Sequence, residues 1–237
     1  MGATWFITGT DTGVGKTLLT GLLARRLLAT GGRFRAVKPF CSGGREDAET
    51  LFAAQGGRVP MDEINPWHFR APLAPWVAAR RQGVRVTLEE AVAFLRRSAR
   101  GRDPLLVEGA GGLLSPLGEG FSALELIQAT RARVLVVCPD RLGAINQSLL
   151  VFAALPKRVA ARAKLVLSAT AEPDGSCRTN RTVLAELLGA DRVHVLPRSG
   201  PEELAAIEEN RMSAGLKRSL DALLAWTRAP GKGFEPR

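Results

Sequence analysis

Apolar and polar positions follow two rhythms along this chain. Short, nearly unbroken apolar runs occur at residues 3–8, 34–40, 104–108, 133–138, 164–168 and 192–196. Runs without a polar face are the mark of strands buried on both sides. Between them apolar residues recur at helical spacing over 16–30, 48–54, 87–100, from Ser122 onward, 144–155, 178–188 and 202–226, the last with a break near Ser213 and Gly215. The end signals agree. Gly31-Gly32 closes the first helical stretch and Gly56-Gly57 the second. Thr87 with Glu90, and Ser122 with Glu125, have capping-box spacing. Residues 58–86 carry Pro60, Pro66, Pro72 and Pro75 and read as loop-rich. Strands alternating with helices predict an α/β fold, a mostly parallel sheet with helices on both faces. In this reading residues 1–228 are a single domain. Residues 229–237, with Pro, Gly and charge, are a disordered tail.

Composition adds limits. With 237 residues, 46% of them hydrophobic, the chain can bury one sizeable core. No apolar run approaches the ~20 residues of a membrane span. The first strand starts too early to leave room for a targeting peptide. Cys41, Cys138 and Cys177 show neither metal spacing nor a disulfide framework, so a reducing, cytoplasmic setting is expected. Cys41 and Cys138 fall near strand ends and read as small buried hydrophobes. The net charge of +10 raises nucleic acid or an acidic membrane surface as a partner. Yet the arginines are scattered in pairs such as Arg25-Arg26, Arg80-Arg81 and Arg96-Arg97, on outward helix faces without interleaved aromatics. Neither nucleic acid nor membrane is therefore expected. His68 reads as partly buried packing and His194 as core.

The densest chemistry is Gly9-Thr10-Asp11-Thr12-Gly13-Val14-Gly15-Lys16-Thr17-Leu18, between the first strand and the first helix. Glycines let successive backbone N–H groups face one concavity, and a helix N-terminus adds unpaired N–H groups and a positive dipole end. Lys16 can reach β- and γ-phosphates and the Thr17 hydroxyl can hold Mg²⁺. The usual glycine six residues before the lysine is displaced by one, since Thr10 stands there and Gly9 precedes it. The fold class narrows to a P-loop NTPase-type sheet. In such sheets ligands bind beyond the carboxyl ends of strands, so later strand ends should converge on this loop. Lys38 closes the second strand, where a second ammonium would stabilise a phosphoryl group in transfer. Asp47 near a helix start is either a helix cap, the reading its position alone favours, or a Mg²⁺ ligand. Glu108-Gly109-Ala110-Gly111-Gly112 supplies a second carboxylate and close backbone approach. Leu142-Gly143-Ala144-Ile145-Asn146 leads into a helix whose N-terminus suits an anion such as a substrate carboxylate.

These blocks in this order, with Val37-Lys38-Pro39, Ser42-Gly43, Asp47-Ala48 and Asn65-Pro66, closely resemble the dethiobiotin synthetase family over roughly residues 1–155. The resemblance implies an ATP-dependent ring closure in biotin synthesis. Its substrates would be 7,8-diaminopelargonate, CO₂ and MgATP, and its intermediates a carbamate and a carbamic-phosphoric anhydride. It implies that Lys16 and Lys38 stabilise phosphoryl transfer and that Thr17, Asp47 and Glu108 hold Mg²⁺. Thr12 and Ser42 would lie against carbamate or phosphate. Gly13, Val14, Gly15, Leu18, Gly109, Ala110, Gly111 and Pro197 would line the nucleotide. Gly111 and Gly112 would meet the substrate. It also implies a homodimer in which Leu142, Gly143, Ala144, Ile145 and Asn146 of the second copy bind the substrate's carboxylate tail.

The chain departs from the family pattern in places. Gly13 stands where many members carry Glu, and Ala74-Pro75-Trp76 where many have Ser-Pro-His. The turn after the fifth long strand, Ser168-Ala169-Thr170-Ala171, lacks the family's adenine-reading Asn. Base selectivity is therefore expected to be weakened, or moved to backbone contacts around residues 197–202. The alternative reading is a partition-type P-loop switch ATPase binding DNA or membrane. Asp11 occupies the place of the extra loop lysine such switches use, which argues against it.

Overall fold

The computed structural model describes residues 3–99, 101, 103–200, 202–204 and 211–228. The tail expected at 229–237 lies outside the described residues. In chain order the first half runs β1 (Thr4–Gly9), α1 (Lys16–Ala29), β2 (Arg35–Val37), β3 (Phe40–Ser42), α2 (Glu46–Ala54), α3 (Met61–Ile64), β4 (Trp67–Phe69), α4 (Pro75–Arg81) and α5 (Leu88–Ser98). Then come β5 (Leu105–Glu108), β6 (Pro116–Gly118), β7 (Phe121–Ser122), α6 (Ala123–Thr130), β8 (Arg133–Asp140), α7 (Ala144–Ala154), α8 (Lys157–Ala160), β9 (Lys164–Ala169), α9 (Asn180–Leu188), β10 (Val193–Leu196) and α10 (Ala214–Arg228). Six strands form one parallel sheet in the order β10-β9-β8-β1-β5-β2.

Strand period two sorts the core into two layers. Trp5, Ile7, Ala36, Leu106, Leu135 and Val137 pack with α1, α2 and α10 on one face. Phe6, Val37, Leu105, Val107, Val134 and Val136 pack with α5, α6 and α7 on the other. The same alternation decides where the strand ends point. Lys38 follows Val37 and Glu108 follows Val107, so both turn to the α1 face. Val37 is paired with Val107 and Ile7 with Glu108, which sets Lys38 and Glu108 side by side.

Two capping boxes form as the sequence predicts, at Thr87 with Glu90 and Ser122 with Glu125. The expected second strand, 34–40, is instead broken. Pro39 has no N–H for a ladder, and the chain leaves the main sheet after Val37. It re-pairs as β3 with β4 in a separate two-stranded parallel sheet. Residues 58–86 are likewise more ordered than their prolines predict, because Pro60 precedes α3 and Pro75 opens α4, places where a missing N–H is harmless. The expected break near Ser213 is the start of α10, where the Ser213 hydroxyl accepts from Leu216 N at 3.2 Å. His68 is exposed rather than packed, its Nε2 3.0 Å from the Gly43 carbonyl, and His194 is half-buried rather than core. Cys41 and Cys138 are buried as expected.

Asn65 holds the break in place. It is fully buried, and its amide donates to the carbonyls of Lys38 (2.8 Å), Pro39 (3.3 Å) and Trp67 (3.3 Å) while accepting from Arg45 Nε at 2.9 Å. Asn65→Ala removes the amide from the Lys38 and Trp67 carbonyls and from Arg45, while the Pro39 carbonyl keeps the Trp67 N–H at 3.1 Å, and should destabilise the protein by about 2 kcal/mol. Urea unfolding measures this, and a loss below about 0.5 kcal/mol would show that the amide does not hold the segment.

Candidate active site

The loop between β1 and α1 turns back over the sheet edge. A Cβ on Gly9 would sit 2.5 Å from Val14 Cγ2 and 3.0 Å from the Asp11 carbonyl, so the displaced glycine is the one the turn needs. Gly15 precedes α1 with φ 96°, a left-handed conformation open to glycine, and no side chain caps the helix. The first N–H groups of α1 are thus left for a ligand. Thr10 N donates to Val137 O at 2.9 Å and ties the loop to β8. The Lys16 ammonium donates to the Asp11 carbonyl at 2.7 Å. Burial, and then the nearby charge of Lys38, lowers its pKa to about 8.

Across the loop, four side chains meet. The Thr17 hydroxyl lies 2.7 Å from both Asp47 Oδ1 and Glu108 Oε1. Lys38 Nζ donates to Glu108 Oε1 at 2.7 Å and to the Gly109 carbonyl at 3.0 Å, and sits 2.7 Å from Asp47 Oδ2. Lys38 is 3% and Glu108 1% exposed. Burial opposes the Lys38 charge, but Glu108 and Asp47 outweigh it and raise its pKa. Burial pushes the Glu108 carboxyl up. For Asp47 burial acts upward too, but Lys38 and Thr17 hold the group below its usual value. Asp47 does not cap α2. It stands inside the first turn, one place after Glu46, and no side-chain cap is present at Arg45. The positional argument misses this because the fold, not the helix end, sets where its carboxylate points.

The cluster fits a Mg²⁺ ion. Thr17 has one hydroxyl proton for two carboxylate oxygens, and the buried Glu108 Oε2 has no partner at all. Among the described residues there is no cluster of three His, Cys, Asp or Glu side chains such as a full protein cage requires. Two carboxylates and a hydroxyl suit Mg²⁺, which keeps waters and takes phosphate oxygens.

A cavity of about 740 Å³ opens beside this cluster. Thr12, Gly13, Gly15, Lys16, Thr17, Lys38, Ser42, Asp47, Ala110 and Gly111 line it, so the first, second and third long strand ends do converge. The Ser42 hydroxyl is buried without a partner. Val14, Leu18, Gly109, Gly112 and Pro197 are not among its lining residues, nor is the turn at Leu142, Gly143, Ala144, Ile145 and Asn146. Sequence reasoning missed part of the wall, namely Phe40, Cys41, Gly44, Glu46, Pro72, Leu73, Ala74, Pro75 and Ser115. Ser115 accepts from Gly112 N at 2.9 Å and steadies the glycine turn. Its proximity to a run of glycines is the one available signal. Burial pushes the Cys41 thiol up to about 11, which makes it a poor nucleophile.

Comparison with known proteins places this geometry. A family model described as an AAA domain matches residues 3–210. The chain is 40% identical over 197 residues to an ATP-dependent dethiobiotin synthetase of Anaeromyxobacter dehalogenans, covering 81% of this chain and 88% of that one. It is 32% identical over 200 residues to the Bacillus subtilis ATP-dependent dethiobiotin synthetase, covering 82% and 87%. Among solved structures, the pNOB8 ParA protein bound to nonspecific DNA has a TM-score of 0.61 at 13% identity, covering 98% of this chain and 100% of that one. The MinC:MinD complex of Aquifex aeolicus has a TM-score of 0.53 at 16% identity, covering 99% and 98%. These two likenesses concern the fold.

The charge cluster makes a prediction of its own. Lys38→Met leaves two carboxylates against each other in a buried place and should cost about 3 kcal/mol in urea unfolding. Adding Glu108→Gln removes one of them and should recover more than half of that loss. A double variant as unstable as the single one would mean that Lys38 acts by packing rather than by charge.

Proposed function

Because the chain belongs to the ATP-dependent dethiobiotin synthetase family, we propose that this cavity is where CO₂ is joined to a vicinal diamine and the ring is closed. As a member of that family it is an ATP-dependent ligase that forms dethiobiotin, a step of biotin biosynthesis. The proposed substrate is 7,8-diaminopelargonate. One amine captures CO₂ as a carbamate and releases a proton. A carbamate oxygen attacks the γ-phosphorus of ATP, the bond to the β-phosphate oxygen breaks, and ADP leaves. The second amine then attacks the carbonyl carbon of the mixed anhydride, phosphate departs, and the ureido ring closes.

The observation that carries this reading is the Thr17 hydroxyl between Asp47 and Glu108, with Lys38 beside them at the cavity. Thr17, Asp47 and Glu108 would hold Mg²⁺, which when bound neutralises charge on phosphate oxygens. Lys16 swings from the Asp11 carbonyl to the γ-phosphate oxygens. Lys38, fixed by its carboxylates, faces the group in transfer and stabilises its charge. Thr12 and Ser42 offer hydroxyls to carbamate or phosphate, and the unpartnered Ser42 hydroxyl supports that role. The glycine loops hold the reactants in line, and positioning supplies much of the rate in such chemistry. A homodimer would bring Leu142, Gly143, Ala144, Ile145 and Asn146 of the second copy to the substrate's carboxylate. Leu142 is 81% and Leu150 62% exposed, which supports a covered surface there. The three cysteines are free, which suits the cytoplasm. No helix among the described residues is long and apolar enough to cross a membrane.

Phosphate release from MgATP and bicarbonate, with and without the diamine, tests the reading. Release should require the diamine, a product of the ring-closed mass should appear, and Lys16→Ala should lower the rate about a hundredfold or more. Release indifferent to diamine but raised by DNA would favour the partition-type switch.

The nucleotide base gives a second test. A Cβ on Gly15 would lie 3.2 Å from Ser168 Oγ, so the end of β9 abuts the phosphate loop. Ala169, Thr170 and Ala171 offer no side-chain amide there, and the Thr170 hydroxyl donates to the Glu172 carbonyl at 3.2 Å. Without a dedicated amide, kcat/KM for ATP, GTP and CTP should agree within about tenfold. An ATP preference of about a thousandfold would show that another group reads the base.

A further inference from the structure

We propose that Glu46 receives a protonated amine of the diamine and so determines which amines the site accepts. The inference rests on the diamine reading above. Glu46 opens α2 and lines the cavity together with Ser42, Gly44 and Asp47. Its carboxylate lies over Gly44, where a Cβ would sit 1.8 Å from Oε2 and 2.4 Å from Oε1. With glycine at 44 the carboxylate can rest against the backbone there. The sequence Gly43-Gly44-Arg45-Glu46 therefore brings an acid against the cavity wall, which a larger residue at 44 would push away.

Glu46 differs from the other acids here in being uncommitted. Asp47 and Glu108 are engaged by Lys38 and Thr17. The described hydrogen bonds of Glu46 use its backbone carbonyl, which accepts from Thr50, and leave its carboxylate without a partner among the described residues. Successive helix positions point about 100° apart. Asp47 can thus face Thr17 while Glu46 faces the cavity mouth.

The substrate chemistry calls for such a group. Its amines arrive in a cavity that already holds the ammonium groups of Lys16 and Lys38. Asp47 and Glu108 only balance those two charges, so a further, uncommitted carboxylate is what would attract a substrate ammonium. Phosphates approach from the α1 side, whereas Glu46 projects from α2. Leu73 and Pro75 on the same cavity wall are apolar and suit an aliphatic chain.

An acid in the first turn of a helix also interacts with the helix dipole, so the test must separate the two roles. Glu46→Gln should raise KM and the directly measured Kd for the diamine roughly tenfold. KM for ATP and the Mg²⁺ requirement should stay within about twofold, and kcat at saturating diamine should change less than KM. Glu46→Asp keeps the charge at the helix start but withdraws it, and should show an intermediate KM with wild-type thermal stability. Two monoamine analogues, each lacking one amine, complete the test. The Glu46→Gln penalty should vanish for the analogue that lacks the amine Glu46 receives and persist for the other. An unchanged diamine Kd overturns the inference, as does a loss equal for both analogues or a shift confined to ATP or Mg²⁺. A wild-type protein that forms the ring-closed product while Glu46→Gln binds diamine normally overturns the role of Glu46 alone. A wild-type protein that forms no such product overturns the diamine reading beneath it.

Discussion

One buried ammonium fixes the arrangement of this molecule. Lys38 lies among three oxygen partners, the carboxylates of Glu108 and Asp47 and the Gly109 carbonyl. An unpaired charge in that position would cost several kcal/mol, so the three elements carrying the lysine and its partners must arrive together. They are the end of β2, the end of β5 and the first turn of α2. The Thr17 hydroxyl adds the first turn of α1. One ammonium facing two carboxylates leaves this cluster net negative, with Lys38 and Glu108 buried and Asp47 partly open to the cavity. The unpartnered Glu108 oxygen shows where a cation would complete it. The site is thus held in shape by charges that are balanced only in part.

The sheet delivers that cluster through its parity. A slip of one residue in β2 or β5 would send Lys38 or Glu108 into the opposite layer, among Phe6, Val92 and Phe94. The register that buries Val37 and Val107 on one face is therefore the register that brings the polar ends to the other. Burial of apolar side chains, summed over both strands, enforces the position of groups that are costly to bury. Pro39 then takes the chain out of the main sheet at the first residue after Lys38. Asn65 satisfies the carbonyls this exit leaves behind. The departure makes room for β3 and for the Pro72 to Pro75 stretch that opens α4, which line the cavity.

What could be read from the sequence follows from how local each feature is. The phosphate loop is a matter of neighbouring residues, and its displaced glycine proves to be a steric need at Gly9. Lys38 and Glu108 lie far apart in the chain, yet the rule that strand ends converge places both in one crevice, and the family resemblance adds Asp47. Where the carboxylate of Asp47 points was not readable, since position in a helix gives no direction relative to another strand. The break at Pro39 was hidden because an apolar run reads as one strand whether it pairs with one sheet or two. Glu46 was hidden for a related reason. An acid at a helix start has an adequate local explanation, and only the lining of the cavity shows that it also borders that space.

The fold does not select the chemistry. A similar fold occurs in ParA and MinC:MinD structures at 13% and 16% identity. In this chain the cavity is walled, beside the phosphate loop, by β3, the Pro72 to Pro75 stretch and the first turn of α2. A phosphate cradle with Mg²⁺ polarises a γ-phosphate for any nucleophile. Which nucleophile arrives is decided by the surface that faces it. A wall that joins apolar residues to an uncommitted carboxylate, across from two ammonium groups, favours a small molecule with an aliphatic chain and a positive end. A protein or duplex surface would need that side to be open and basic. The basic residues of the chain are spread over helices, strands and loops, while the cavity sets acids against its lysines.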